Sequence, residues 1–140
     1  SKKGFTLIEL LVVIAIIGVL STLSIVALNS ARTKARDAVR LANIKQIQTA
    51  LELWYNDVSR YPTSAEVTFN SPLTSNGITY MALLPTAPTP TDGTCSAAEN
   101  TYNYIGYAGG TTYGLSYCLG GASGSIGAGF HTAYPGSLSQ

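Results

Sequence analysis

The chain has 140 residues, 46% of them hydrophobic, and a formal net charge of +1. This length leaves room for one soluble domain after a membrane segment, and the near-zero net charge points to no particular class of partner. All eight Lys and Arg lie at or before Arg60, whereas eight of the nine Tyr follow it. A neutral, hydroxyl-rich second half suits a domain that packs among copies of itself or carries O-linked sugars.

The first predicted element is a long apolar helix. Residues 5–28 contain one charged side chain, Glu9. At about 1.5 Å per residue, such a helix is about 36 Å long, enough to cross a hydrocarbon core about 30 Å thick. Because a carboxylate in this environment is costly, we expect another protein group to meet Glu9.

Two simpler explanations of this segment are a secretory signal peptide and a plain membrane anchor. A signal peptide has an apolar region of about 7 to 15 residues and an Ala-x-Ala-like cleavage site. This segment is longer and lacks that site. A plain single-span anchor fits the length but explains neither the Gly4-Phe5 pair nor Glu9.

The residues that precede and open this helix, KKGFTLIE at positions 2–9, carry a resemblance to a known family. They resemble the processing site of type IV pilins and of the related type II secretion pseudopilins. In that family a prepilin peptidase cuts after the glycine and methylates the new terminal phenylalanine. The resemblance therefore implies cleavage between Gly4 and Phe5, with residues 1–4 as the end of a leader. It also implies that Glu9 pairs with the Phe5 amine of a neighbouring subunit during assembly.

The helix is expected to continue as an amphipathic half over residues 29–60. Apolar residues recur there at spacings of three and four, which predicts a stripe on one helix face. The whole helix would run from Phe5 to Ser59, because Pro62 disfavours helical geometry just before it. The stripe consists of Leu41, Ile44, Ile47, Leu51, Trp54 and Val58.

Residues 61–140 are expected to form a loop and a small antiparallel sheet that covers this stripe. Residues 63–93 are predicted to be a connecting loop with turns at Pro72 and at Asn76-Gly77, and residues 77–84 to be a short helix or strand. Tyr-rich segments at 101–107 and 113–119, separated by five residues, predict a hairpin, and residues 128–134 a last strand. The fold class is therefore α+β, and the resemblance implies a pilin-like fold.

Two cysteines, Cys95 and Cys118, lie in this second half. Metal binding is not expected, because there is no Cys-x-x-Cys and His131 is the only histidine. An even count in an exported domain indicates a disulfide, which the chain-entropy model values at about 3.5 kcal/mol. A pair of buried free thiols is the alternative.

The distribution of basic residues disagrees with export of this domain. Two lysines precede the apolar segment and five basic residues follow it, so the positive-inside rule would leave the second half in the cytoplasm. We give more weight to the cysteine pair, which favours an oxidising compartment. The five basic residues are Arg32, Lys34, Arg36, Arg40 and Lys45. DNA or lipid headgroups could contact them, but a helix at the membrane exit, or charges facing a neighbouring subunit, explains them more simply.

The motifs of catalysis are missing from the sequence. It contains no HExxH, no phosphate-binding loop and no second histidine. We expect no catalytic residue, no metal and no cofactor; calcium would have to rely on Asp92, Glu99 and backbone oxygens. His131 is expected to be a surface or sheet histidine.

These observations predict a structural subunit of a type IV pilus-like filament that polymerises through its apolar helix. Its expected partners are itself, a prepilin peptidase and an inner-membrane assembly platform with its ATPase, with DNA as a further candidate. It would sit in the cytoplasmic membrane as a single-pass precursor and then in an extracellular filament. The alternative in the same superfamily is a type II secretion pseudopilin. From a different class comes a non-polymerising, single-span surface-binding protein.

Overall fold

The computed structural model describes residues 1 and 3–139; Lys2 of the processing motif and the terminal Gln140 lie outside them. The chain divides into two compact units, Ser1–Arg32 and Thr33–Gln140. The elements in chain order are helix α1 (Leu7–Val58), a 3-10 turn (Ser64–Glu66), and strands β1 (Leu73–Ser75), β2 (Ile78–Met81), β3 (Asn103–Gly106), β4 (Tyr113–Leu119) and β5 (Gly129–Ala133).

Helix α1 has 52 residues and is slightly shorter than predicted at both ends. It begins at Leu7 rather than Phe5, because the side chain of Thr6 bonds to the backbone of the first turn. It ends at Val58, because Ser59 takes a left-handed φ of 59° while its amide still donates to the Tyr55 carbonyl at 2.8 Å.

A three-stranded antiparallel sheet in the order β3-β4-β5 forms the larger sheet of the second unit. Its register places Tyr104 opposite Leu115 and Leu115 opposite Ala133. These strands confirm the predicted hairpin and last strand. The central strand β4 is buried at all seven positions, whereas simple alternation predicts one buried face. Part of the reason is the small residue Gly114, against which the Tyr107 ring lies.

The apolar stripe of α1 packs into the core of the second unit, as predicted. Ile44, Ile47, Leu51 and Trp54 are buried in one cluster with residues of the sheet. Leu41 and Val58 are partly buried at its edge. The architecture is therefore α+β and pilin-like, with one long N-terminal helix packed against small antiparallel sheets.

The predicted turn at Asn76-Gly77 is confirmed, and the short helix or strand predicted over residues 77–84 is a strand, but the prediction that the rest of residues 63–93 is a connecting loop misses strand β1. Strands β1 and β2 form a second antiparallel sheet within this range, joined at Asn76 and Gly77, whose φ angles are 50° and 80°. Two positive φ values at an Asn-Gly pair are typical of a tight hairpin turn. Tyr80 of this hairpin packs against Trp54, with ring centroids 5.4 Å apart, so the hairpin adds to the core over the helix.

Candidate processing and assembly site

The Gly4–Phe5 peptide bond lies in an exposed, non-helical segment before α1. The Phe5 side chain is 83% exposed, and among the described residues none beyond its two chain neighbours lies within 4 Å of the position that a Cβ on Gly4 would take. Exposed backbone without regular structure is the kind of segment that peptidases cut. The geometry of this segment is thus compatible with processing between the two residues.

Glu9 closes the start of α1 through a capping box with Thr6. The Thr6 amide and the Thr6 hydroxyl each donate to Glu9 Oε2 at 2.7 Å, and the Glu9 amide donates to Thr6 Oγ1 at 3.3 Å. Such reciprocal bonds satisfy backbone donors that a helix start leaves open. Both bonds to the carboxylate reach Oε2, so the cap does not use Oε1. The sequence interpretation missed this partner, although the signal, Thr-x-x-Glu before an apolar run, was present.

The apolar side chains of the first unit are open to solvent in the isolated chain. From Phe5 to Leu28 its large apolar residues are between 50% and 83% exposed. This part of α1 is long and apolar enough to cross a membrane, and none of its most apolar stretch is buried. A continuous apolar surface of this size requires lipid or protein around it.

In the second unit, a buried cluster of charges joins α1 to the later loops. Its members, which we call the arginine–aspartate cluster, are Arg36, Asp37, Arg40 and Asp92. Arg40 is completely buried, and its Nη1 lies 2.8 Å from Asp37 Oδ1 and 2.9 Å from Asp92 Oδ2. Arg36 Nε donates to Asp92 Oδ2 at 2.7 Å. Asp37 and Asp92 thus compensate two arginines at the start of the second unit.

Backbone and amide groups complete this cluster. Arg40 Nη2 donates to the carbonyls of Pro88 and Pro90, each at 3.1 Å, and Arg40 Nε donates to Asn100 Oδ1 at 3.1 Å. The Asp37 carboxylate accepts the amides of Gly120 and Gly121, each at 2.9 Å. A buried ion pair is tolerated when its remaining donors and acceptors are satisfied in this way.

This cluster corrects the sequence-based interpretation of the five basic residues between positions 32 and 45. The sequence predicts that Arg36 and Arg40, with three other basic residues, lie at the membrane exit or face a neighbouring subunit. Instead, they neutralise Asp37 and Asp92 within their own domain. The pairing of Arg40 with Asp37, three positions away, could be inferred from the sequence, whereas the pairing with Asp92 could not, because Asp92 lies 52 positions beyond Arg40.

The two cysteines form a disulfide beside this cluster. Cys95 and Cys118 are bonded, with their Cα atoms 6.0 Å apart. Gly93 lies so close to Gly120 that a Cβ on Gly93 would come within 2.0 Å of the Gly120 carbonyl oxygen, and its φ is 58°. The loop that carries Asp92 is therefore held on the end of β4 by a covalent bond and a close backbone approach.

The two carboxylates considered for calcium, Asp92 and Glu99, interact with different groups of the protein. Arg36, and less strongly Arg40, hold the pKa of Asp92 at about 2, below its usual 3.8. Glu99 instead accepts the Ser96 amide at 2.8 Å. Over residues 1 and 3–139, no three His, Cys, Asp or Glu residues are grouped so that they could hold a metal ion. His131 lies in β5, where its Nε2 contacts the Gly127 carbonyl at 2.8 Å.

The start of the chain matches a known family, and the greater part of the chain is similar to known proteins. Residues 1–25 match the family described as "Prokaryotic N-terminal methylation motif". The "Type IV wide pilus major component PilA4" of Thermus thermophilus is 37% identical over 116 residues, which are 81% of this chain and 79% of that protein. The "Type II secretion system core protein G" of Escherichia coli is 30% identical over 133 residues, covering 95% of this chain and 77% of that protein.

Other matches are shorter. The protein G of Klebsiella michiganensis is 38% identical over 66 residues, which are 47% of this chain and 46% of that protein. The match thus spans about half the length of that relative, as it does for several other proteins of the same name. No solved structure is a significant match to the chain.

Proposed function

The chain belongs to the family of type IV pilins and type II secretion pseudopilins. We propose that it is a structural subunit of a type IV pilus-like filament. The observation that carries the proposal is the solvent-exposed apolar first half of α1, which follows a methylation motif and precedes a well-packed domain. A relative matched over most of both chains is named as a major pilus component.

Burial of the apolar helix is the driving force that we propose for polymerisation. Before assembly, lipid covers the apolar side chains of residues 5–28 in the cytoplasmic membrane. In a filament, the same side chains of neighbouring copies cover one another in an extracellular fibre. A subunit of this kind has a structural role, and we propose no catalytic activity for it.

Processing at Gly4-Phe5 precedes assembly in this proposal. A prepilin peptidase cuts after Gly4 and methylates the Phe5 amine, and membrane machinery with an ATPase assembles the product. Glu9 then meets the Phe5 amine of a neighbouring subunit. The support is the exposed segment around Gly4 and the Glu9 Oε1 atom that the capping box does not use.

Electron microscopy and intact mass test the proposal together. Surface material sheared from producing cells should contain long filaments of this protein, and the subunit mass should correspond to a chain that begins at methylated Phe5. Cells that hold only membrane-bound monomer would favour the single-span surface-binding protein instead. Filaments whose subunits still carry Ser1 to Gly4 would contradict the processing step alone.

A type II secretion pseudopilin is the second candidate, and the matches to several proteins named core protein G favour it. The two candidates differ in the phenotype of a deletion strain. Loss of a pilus subunit removes surface filaments, whereas loss of a pseudopilin blocks release of folded proteins into the medium. DNA binding by the filament is a further hypothesis, to be tested by DNA uptake in the same strain.

A further inference from the structure

The three-stranded sheet has one face in the core and one face turned away from it. Side chains of successive strand residues point to opposite sides of a sheet. Alternate residues of β4, from Tyr113 to Leu119, are buried in the core with the helix stripe. The residues between them, and the residues paired with these on β3 and β5, therefore point to the other side, which we call the outer sheet face. Its members are uncharged: Asn103, Ile105, Tyr107, Thr112, Gly114, Ser116, Cys118, Phe130 and Thr132.

A tyrosine ring lies on this outer sheet face over Gly114. A Cβ placed on Gly114 would be 3.4 Å from the Tyr107 hydroxyl oxygen, 3.7 Å from Cε2 of the same ring and 3.3 Å from Cγ2 of Thr132. A longer side chain at position 114 would therefore displace the ring. Tyr107 nevertheless remains 44% exposed, so the ring rests on the sheet and is still open to solvent.

A second aromatic ring and a pair of hydroxyls complete the outer sheet face. Phe130 is paired with Cys118 and is 53% exposed. Cys118 lies four residues beyond Gly114 on β4, or about 13 Å along the strand. Between these two ends, the hydroxyl oxygens of Ser116 and Thr132 lie 3.3 Å apart. The face thus has an aromatic ring at each end and hydroxyl groups between them.

We propose that the outer sheet face binds a neutral, β-linked glucose polymer, with Tyr107 and Phe130 each in contact with the C–H face of a sugar ring. In such a polymer the hydroxyls point outward around the ring edges, which leaves two flat faces of C–H groups. An exposed aromatic ring covers a face of this kind, and its negative π-face attracts the C–H hydrogens. The edge hydroxyls bond to the polar side chains of Ser116, Thr132 and Asn103, which fix the orientation of the sugar.

Charge and area both favour this ligand over a charged molecule or a second copy of the chain. A charged ligand would lose water at the outer sheet face without gaining a counter-ion, because none of the members of this face is charged. Three strands about 4.8 Å apart, the central one with seven residues, give a face on the order of 300 Å². A stable protein interface buries about 800 Å² per partner. The face is therefore too small for a stable dimer, but it accommodates a few sugar rings.

The inference goes beyond the proposed function, because it gives the surface of the filament a ligand. The extracellular source of the polymer rests on the proposed function, whereas binding does not require polymerisation and can be measured on the isolated chain. The cell-wall glycan is also β-linked. Its carboxylate and peptide substituents, however, would find no cation among the members of the outer sheet face, so we infer a polymer from outside the cell.

Titration calorimetry with cellohexaose tests the outer sheet face on the full chain, held in a zwitterionic detergent that has no sugar headgroup to compete. The wild-type chain should bind this oligosaccharide. Tyr107→Ala should lower the association constant by at least about tenfold and Phe130→Ala by at least about threefold, because each removes an aromatic contact. Tyr107→Phe keeps the ring and should bind within about threefold of wild type. The matched control is Tyr55→Ala, which removes a 37% exposed tyrosine from the helix and should bind as wild type does.

Failure of the wild-type chain to bind cellohexaose, or binding to purified peptidoglycan in its place, would overturn the inference. Equal losses from Tyr55→Ala and Phe130→Ala would place the binding elsewhere and overturn it too. Self-association of the chain that Tyr107→Ala or Phe130→Ala abolishes would show that a second copy covers the face. If Tyr107→Ala does not fold, Phe130→Ala carries the test.

Filament counts in the same strains keep this inference and the proposed function apart. Phe130→Ala should lose sugar binding while cells that produce it form as many filaments as wild type. Wild-type cells without fibres, whose purified chain still binds cellohexaose, would refute the proposed function and leave the sugar site standing.

Discussion

The two units of the chain differ in where their stabilising contacts come from. In the second unit, the helix stripe, both sheets, the arginine–aspartate cluster and the disulfide satisfy one another within a single chain. In the first unit, the apolar side chains are exposed, and the cap between Thr6 and Glu9 stabilises the start of the helix through hydrogen bonds. The contacts of the second unit are therefore satisfied within one chain, whereas the apolar surface of the first unit requires lipid or other protein around it.

The largest loss of folding stability is expected from removing Asp92. The change Asp92→Ala leaves the completely buried Arg40 with one carboxylate fewer, and breaking a buried pair in this way costs about 3 to 5 kcal/mol. Asp57→Ala, at an exposed carboxylate that accepts the Tyr80 hydroxyl, is the matched control and should cost about 1 kcal/mol or less. Denaturant unfolding of the full chain in detergent measures both, and equal losses would contradict the importance of the cluster.

Removing the disulfide is expected to cause the next largest loss of folding stability. Changing both Cys95 and Cys118 to Ser should lower the free energy of unfolding by about 2 to 5 kcal/mol, because it frees the loop that presents Asp92. Membrane insertion should be unaffected, since the first unit contains neither cysteine. Quantitative labelling of two free thiols in the native protein would show that this bond is absent in cells.

Acid should weaken the second unit through Asp92. Its pKa is about 2 in the fold against 3.8 ordinarily, because Arg36 and Arg40 favour the charged form. A lowered pKa contributes stability that is fully present above the unfolded value and is lost as the pH falls through the folded value. We therefore expect a loss of about 2 kcal/mol between about pH 4 and pH 2. Asp92→Asn should lack this component, and an identical acid profile in that variant would refute the assignment.

The sequence predicted those features whose determinants are close together along the chain. The stripe from Leu41 to Val58 follows from local spacing, the β3–β4 hairpin from two Tyr-rich segments with a short loop, and the disulfide from there being only two cysteines. The sequence predicted the Asn76-Gly77 turn and a short helix or strand after it, but not strand β1, because three residues are too few to show a clear alternation.

Two contacts of the charged residues were not predicted from the sequence, for different reasons. The arginine–aspartate cluster joins residues more than 50 positions apart, and no local pattern pairs Arg36 or Arg40 with Asp92. The Thr6–Glu9 cap is local and has a sequence signal, Thr-x-x-Glu, but the family resemblance assigns Glu9 to a partner in another subunit. The cap matters for the function, because it offers a second reason for a carboxylate at position 9.

The most direct test of the central claim separates the charge of Glu9 from its cap. Glu9→Gln removes the charge but keeps a residue that can complete a capping box, whereas Thr6→Ala removes the capping hydroxyl and keeps the charge. Fibres and membrane-pool protein are counted in the same cells. We expect Glu9→Gln to lose most filaments at an unchanged membrane pool, as Glu9→Val should, and Thr6→Ala to keep them. The reverse outcome, with filaments retained by Glu9→Gln and lost by Thr6→Ala, would show that Glu9 serves the helix start. It would contradict charge-directed assembly through the Phe5 amine.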